Sequence, residues 1–276
     1  MKWLHFILSH SIFIAVCATA LTFQTALLLK CSISLYVYGF VFFATLCSYN
    51  FYWILSKLSF ASKDSIQAIL KNQAVSYLLL FISSVGFLYC FLQSSIPLHV
   101  VITAVLLTML YAIPLLPVSF LKFTRRAGVL KTILLAFTWA YVTVIIHLQK
   151  EYGLLNSTDL FIISRRFLFM LMLCIIFDNR DKDLDKIRGL RSLATDLSPS
   201  TLRTLIYFIF ILLFSSNLLF RNYGITVSQS IALQVSTIAL MVVYFYSGKK
   251  QGYLFYYFFV DGMMLFSALT TYVASI

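Results

Sequence analysis

The chain has 276 residues, of which 61% are hydrophobic and only 11% are charged. A water-soluble domain of this size has far less apolar sequence, so the composition excludes that class. The formal net charge is +12, but the basic residues are spread over separate connecting segments instead of forming one patch. We therefore expect no nucleic-acid partner.

Nine apolar segments are each long enough to cross a bilayer, for which a helix needs about 20 residues. None shows the two-residue alternation of a membrane barrel strand, so we expect helices. The sequence therefore predicts an all-α, polytopic membrane protein, with one integral domain over residues 1–276. The predicted spans are 6–29, 33–56, 74–93, 97–120, 131–149, 160–178, 202–220, 225–246 and 254–274.

Basic residues are concentrated in the connections that follow the even-numbered spans. The other connections contain only Lys30, Lys150 and Arg221. Connections rich in lysine and arginine face the cytoplasm, so we expect a cytoplasmic N-terminus, an external C-terminus and a location in the cytoplasmic or inner membrane. The residues that carry this signal are Lys57, Lys63, Lys71, Lys122, Arg125, Arg126, Lys131, six bases from Arg180 to Arg203, Lys249 and Lys250.

The acidic residues are concentrated in one stretch. The chain has nine Asp and Glu residues, and four of them lie between Asp178 and Asp185, directly after an uncharged apolar run. On a helix, Asp178, Asp181 and Asp185 share one face, with neighbouring Cβ atoms roughly 5–6 Å apart. Carboxylates this close repel one another, and Mg²⁺ binds carboxylate oxygens together with substrate phosphates. These three residues are the predicted metal ligands and catalytic residues, whereas Asp183 should point away from them.

Basic residues around this stretch are candidate contacts for phosphate oxygens. They are Arg180, Lys182, Arg188 and Arg191. Asn50, at the end of span two, matches Asp178 in position if helices one to four and five to eight form two halves around a cytoplasm-facing cavity. The alternative interpretation is a solvated charged loop that caps a membrane helix.

Together these features resemble the UbiA-type superfamily of intramembrane aromatic prenyltransferases. Asn50 stands where the first family motif begins, and Asp178-Asn179-Arg180-Asp181-Lys182-Asp183-Leu184-Asp185 is similar to the second. The resemblance implies a nine-helix bundle within membrane lipids that transfers a prenyl group, with Mg²⁺ as cofactor. The donor would be a prenyl diphosphate, and the acceptor an aromatic or other lipophilic molecule.

The chain departs from the family pattern in two places. Phe51, Ile54 and Leu58 stand where the first motif has three aspartates. The Tyr-x-x-x-Lys element begins at Tyr111, a candidate substrate contact, but has leucine in place of its lysine, for which Lys122 is our candidate replacement. These departures leave open a catalytically inactive relative that acts as a membrane transporter or lipid-binding protein.

Overall fold

The computed structural model describes residues 2–59, 74–112, 128–148 and 155–276, and every regular element in these ranges is helical. The all-α prediction is therefore confirmed. Short turns of 3₁₀-helix at Ile145–His147 and Asn217–Tyr223, and a π-helical segment at Phe255–Val260, accompany the α-helices. The α-helices are α1 (Lys2–Ser9), α2 (Ile12–Leu29), α3 (Leu35–Ser59), α4 (Ala74–Gln93), α5 (Leu98–Ala112), α6 (Gly128–Thr143), α7 (Ser157–Ile187), α8 (Leu193–Asp196), α9 (Pro199–Ser216), α10 (Val227–Ser247) and α11 (Asp261–Val273).

Six helical segments in the described ranges are long and apolar enough to cross a membrane. Two more helices, α5 and α6, are apolar but shorter, and residues 113–120 of the fourth predicted span lie outside the described ranges. These lengths support a multi-pass integral membrane protein, and the count of nine spans stays a prediction. The six are Ile12–Leu29, Leu35–Lys57, Ala74–Gln93, Ser157–Ile187, Pro199–Leu219 and Val227–Ser247.

Local sequence signals fix where the later helices begin. At the start of α7, the Asn156 side chain accepts a hydrogen bond from the Asp159 N–H at 2.8 Å, and the Asp159 carboxylate accepts from the Asn156 N–H at 3.1 Å. Thr226 and Gln229 form the same reciprocal cap on α10, and Pro199 occupies the first turn of α9. Such caps satisfy backbone donors that the first helical turn leaves free.

Helix α7 is the central helix of the bundle. Its 31 residues run without a break from the capped N-terminus into the acidic stretch, and every residue from Phe169 to Ile176 is buried. It packs against α2, α6, α8, α9 and α10. Elsewhere α3 approaches α4 closely at Gly39, where an added Cβ would lie 2.7 Å from the Cys90 sulfur. Small residues at such contacts are typical of membrane helices, which associate through close packing.

Candidate functional site

An apolar cavity of about 420 Å³ lies between α3, α4, α5 and α6. Its size is in the range of small-molecule sites. Where α3 and α5 end, its wall is formed by Tyr52 and Tyr111, whose ring centres are 5.2 Å apart. Tyr49 and Trp139 also line it, with ring centres 6.2 Å apart. The predicted substrate contact Tyr111 therefore lies in the wall of an apolar cavity.

We infer that the cavity opens sideways between α4 and α5. These two helices follow one another in the sequence but barely touch. The lining residues Ser84, Val105 and Met109 are exposed at this point. Most of the surrounding helix surface is apolar, so we infer that the opening faces the interior of the membrane.

Lys131, in the first turns of α6, connects this cavity with the acidic stretch. Its ammonium nitrogen lies 5.5 Å from the centre of the Tyr111 ring. It is also within Coulombic range of Asp178, Asp181 and Asp185 on α7. In the sequence Lys131 is visible only as one of many basic residues between spans, because nothing acidic lies near it along the chain.

Asp178 joins three helices. Its Oδ2 atom accepts a hydrogen bond from the Thr132 hydroxyl on α6 and another, at 3.2 Å, from the N–H of Leu193, the first residue of α8. Leu193 N also lies 3.3 Å from the Thr132 hydroxyl oxygen. Asp178 therefore holds α6 and the N-terminus of α8 against α7.

The close approach of α6 to α8 depends on Gly128. A Cβ atom at this position would lie 2.6 Å from Oδ2 of Asp196 and 2.7 Å from the backbone nitrogen of Ser192. Real Cβ atoms do not come this close to other heavy atoms, so a larger residue would push the two elements apart. Gly128 thus sets the position of Lys131 and its neighbours relative to the end of α7.

Asp181 is held by Arg180. The Nε and Nη2 atoms of Arg180 each donate to one oxygen of the Asp181 carboxylate at 2.7 Å. The guanidinium carbon lies 4.8 Å from the ring centre of Phe177 and 5.1 Å from those of Tyr256 and Tyr257. The remaining nitrogen, Nη1, is buried without a partner among the described residues. Arg180 is therefore engaged within the protein, by the Asp181 carboxylate and by the three rings around it.

The π-helical segment Phe255–Val260 brings both tyrosines to Arg180. A π-helix has a wider turn than an α-helix and often occurs at functional sites. Asp261 follows directly, and only 5% of it is exposed. It is within Coulombic range of Arg180. Its burial agrees with the high cost of exposing a carboxylate to hydrocarbon.

The two other acids of the stretch lie on different faces of α7. Asp185 is buried, whereas Asp183 is exposed to solvent. This is the arrangement expected from a rotation of about 100° per residue along a helix. Asp185 lies within Coulombic range of Lys131 and Arg188.

The predicted phosphate contacts within the described ranges have different surroundings. Arg191 donates through Nε to Asp196 at 2.6 Å in a half-exposed ion pair. Lys182 is half-buried on α7, and Arg188 is exposed near Asp185. Lys122 lies outside the described residues. The roles of these residues in binding phosphate stay predictions.

Asn50 lies apart from the cavity wall and is only 2% exposed. Its Nδ2 atom donates to the carbonyl oxygens of Leu46 at 2.9 Å and His10 at 3.2 Å. Ser11, between α1 and α2, has a left-handed backbone with φ of 63°, so the helix is broken beside this contact. The geometry gives Asn50 a structural role at the junction, and its predicted substrate contact stays a prediction. Its neighbour Phe51 does line the cavity.

The side chains as arranged do not fit the predicted Mg²⁺ site. Within the described ranges, no three His, Cys, Asp or Glu side chains are grouped so that they could hold a metal ion. Both oxygens of Asp181 face Arg180, and Lys131 supplies positive charge to the same acids. The assignment of Asp178, Asp181 and Asp185 as metal ligands stays a prediction, and it requires Arg180 to release Asp181.

No family model and no curated protein matches the sequence. Among solved structures, a UbiA homolog from Aeropyrum pernix K1 is 12% identical, covers 95% of this chain and 97% of its own, and superposes with a TM-score of 0.66. A digeranylgeranylglyceryl phosphate synthase is 14% identical, with coverage of 100% and 99% and a TM-score of 0.52. These similarities show the fold and confirm the expected UbiA-type architecture.

Proposed function

We propose that this UbiA-type fold is an intramembrane prenyltransferase, which transfers a prenyl group from a prenyl diphosphate to an aromatic or other lipophilic acceptor. One observation carries the proposal. The apolar cavity ends at a wall of tyrosines, and Lys131 lies beside that wall and beside the acidic face of α7. A prenyl diphosphate has the same division between a long apolar tail and a small charged head.

The transfer reaction gives a role to the charged residues beside the tyrosine wall and another to the apolar cavity. Prenyl transfer breaks the bond between the first prenyl carbon and a diphosphate oxygen, and the electron pair leaves with the diphosphate. Lys131 stabilises the charge that develops on that oxygen. The aromatic residues of the cavity wall stabilise the allylic cation, and the apolar walls exclude water. The acceptor then forms the new carbon bond and loses a proton.

The proposal gives magnesium no step, because Arg180 occupies both oxygens of Asp181. Magnesium is nevertheless the cofactor that the resemblance implies, and the assignment can be tested directly. Arg180→Gln removes the bidentate partner, so Mn²⁺, used as a spectroscopic substitute for Mg²⁺, should bind more tightly to the variant than to the parent. Equal or absent binding in both proteins would contradict the ligand assignment of Asp181.

The activity is tested with purified protein in nanodiscs. Labelled prenyl diphosphates of increasing length are supplied with a mixture of lipophilic acceptors, with and without Mg²⁺. We expect release of inorganic diphosphate and a labelled product that partitions into organic solvent. Release of diphosphate at the rate of empty nanodiscs, for every donor length, would contradict the proposal.

A pair of variants tests whether the cavity holds the prenyl tail. Ala104 is buried in the cavity wall, and Ala104→Phe should reduce the longest donor that reacts. Val235→Phe adds a ring at a 44% exposed position on α10 and is the matched control. If both variants accept the same donors as the parent, the tail does not occupy this cavity.

A second candidate function is the binding of an isoprenoid lipid without catalysis. It is favoured by Phe51 and Ile54, which place a cavity-lining ring and a buried apolar side chain where the family has carboxylates. The same nanodisc experiment separates the candidates. A binding protein should retain labelled prenyl diphosphate in the nanodisc fraction and release no diphosphate. The Ala104→Phe variant should retain less of it.

We also propose the orientation that the basic connections predict, in which the Lys131 end of the bundle faces the cytoplasm. Ser200 and Ser275 are both exposed and lie near opposite ends of their helices. In intact cells, an impermeant thiol reagent should label Ser275→Cys and leave Ser200→Cys unlabelled. The reverse pattern would contradict the orientation.

A further inference from the structure

A second cavity lies about 18 Å along α7 from Asp178. Its volume is about 30 Å³, and it is enclosed by residues of α2, α7, α9, α10 and α11. In contrast to the large cavity, much of its lining is polar. The polar lining residues are Gln24, Arg165, Arg166, Ser236, Thr237 and Ser267.

Both arginines of this cavity are bonded only to uncharged oxygens. Arg166 is 5% exposed, and its Nη2 atom donates to the Leu21 carbonyl at 3.1 Å and to the Thr25 hydroxyl at 3.3 Å. Arg165 donates through Nη1 to the Leu213 carbonyl at 2.9 Å and to the hydroxyl of Ser216. These bonds use one terminal nitrogen of each guanidinium, although a guanidinium has five N–H donors.

No ion pair in the described part of the chain includes Arg165 or Arg166. The acid nearest to them along α7 is Asp159, which caps the helix about 10 Å before Arg166. Two neighbouring positive charges in a region of low dielectric are strongly unfavourable unless a negative charge compensates them. Arginine cannot avoid this cost by losing its proton.

We propose that this cavity binds a small inorganic anion, of which chloride is the most abundant candidate. The space accommodates one or two water-sized particles, which suits a halide ion better than a phospholipid headgroup. The guanidiniums are the donors, because the hydroxyls of Ser236 and Thr237 already donate to carbonyl oxygens of their own helix at 2.9 and 2.8 Å. A halide ion offsets one of the two positive charges and so stabilises the packing of α2 and α9 on α7.

The thermal unfolding of the full chain in detergent tests this site. A ligand that binds only the folded state raises its stability in a saturable way. We expect the unfolding midpoint to rise by about 2–4 °C when chloride or bromide replaces gluconate at constant ionic strength. Equal midpoints in chloride and gluconate would overturn the proposal.

Three variants distinguish anion binding in this cavity from a general screening of charges by salt. Arg166→Gln removes one charge, and Thr237→Leu fills the cavity while both arginines remain, so each should abolish the chloride response. Arg203→Gln makes the same change in net charge at an exposed position of α9 and should retain it. Retention of the response in both cavity variants, or its loss in Arg203→Gln as well, would overturn the proposal.

Two other sources of negative charge are distinguished by the same measurement. Glu151 lies outside the described residues, and a chloride response that appears only in Glu151→Gln would show that this carboxylate compensates the arginines instead. An anionic phospholipid that raises the midpoint in gluconate and removes the chloride response would identify a lipid as the ligand. Either result would overturn the assignment of an inorganic anion.

Discussion

Helix α7 has charged side chains near both ends, and the two groups are compensated in different ways. Towards Ile187, Asp181 pairs with Arg180, Asp178 accepts two hydrogen bonds, and Lys131 lies among the acids. Towards Ser157, Arg165 and Arg166 donate hydrogen bonds only to uncharged oxygens, and the Arg165 guanidinium lies 5.8 Å from the ring centre of Phe161. The first group is balanced by the chain itself and the second is not, so the two ends should respond differently to mutation and to solutes.

Lys131→Met should have the largest effect on the balanced end. It removes a cation that lies near both the tyrosine wall and the acids, and loss of one electrostatic contact to a transition state costs roughly 10²–10³ in rate. We expect kcat/KM for prenyl transfer to fall by that factor, with partial recovery in Lys131→Arg. Lys186→Met, at an exposed position of the same end, is the control. If the two methionine variants have equal kcat/KM, Lys131 has no role in transfer.

Asp178→Leu should reduce the free energy of unfolding by about 2–4 kcal/mol. The substitution removes the acceptor that the Thr132 hydroxyl and the Leu193 N–H share, and a hydrogen bond to a charged group contributes about 1.5–3 kcal/mol. Asp178→Asn keeps an acceptor oxygen and should lose less than half as much. Reversible unfolding in mixed micelles measures both variants, and equal losses would show that the hydrogen bonds to Asp178 contribute little.

Gly128→Ala should cost about 1–3 kcal/mol, the range for overpacking a close contact. The added Cβ meets the backbone before α8, which cannot move aside as a flexible side chain does. Gly252→Ala is the matched control, because nothing lies within 4 Å of its Cβ position. A Gly128→Ala variant that unfolds at the same midpoint as the control would contradict the close approach of α6 and α8.

Arg191→Gln should have the smallest effect, with a loss of about 0–1 kcal/mol. The Arg191 side chain is 53% exposed, so solvent and salt screen its ion pair with Asp196. The difference in unfolding midpoint from the parent should vanish at high salt. A larger loss of unfolding free energy that persists at high salt would show that the Arg191–Asp196 pair stabilises this end of α7 despite its exposure.

The sequence predicts the features of this molecule that depend on periodicity and on the cost of placing charge in a membrane. The apolar runs predict helices, and the spacing of the acids on α7 predicts that Asp183 points away from the face of Asp185, which agrees with the exposed Asp183 and the buried Asp185. The cost of a carboxylate in hydrocarbon predicts that Asp261, the lone acid of the last predicted span, faces protein or a cavity, and it is buried within the protein. Each of these expectations follows from a residue and its own helix, without knowledge of which helices are neighbours.

Features that depend on helix neighbours could not be predicted in this way. Lys131 meets the acids only because α6 packs on α7. Arg180 faces Tyr256 and Tyr257 only because a π-helical segment far along the chain lies beside it. The contact between Asn50 and His10 depends on a left-handed serine, which has no signature in the sequence.

The sideways opening between α4 and α5 makes the large cavity continuous with the bilayer. Acyl chains of neighbouring phospholipids are as apolar as a prenyl tail and slightly narrower, so we expect them to occupy the cavity when no substrate is present. For the proposed prenyl donor, binding is then an exchange of one hydrocarbon chain for another, with little net change in buried apolar area. The measured affinity for the donor consequently depends on the length and saturation of the surrounding lipids as well as on the protein.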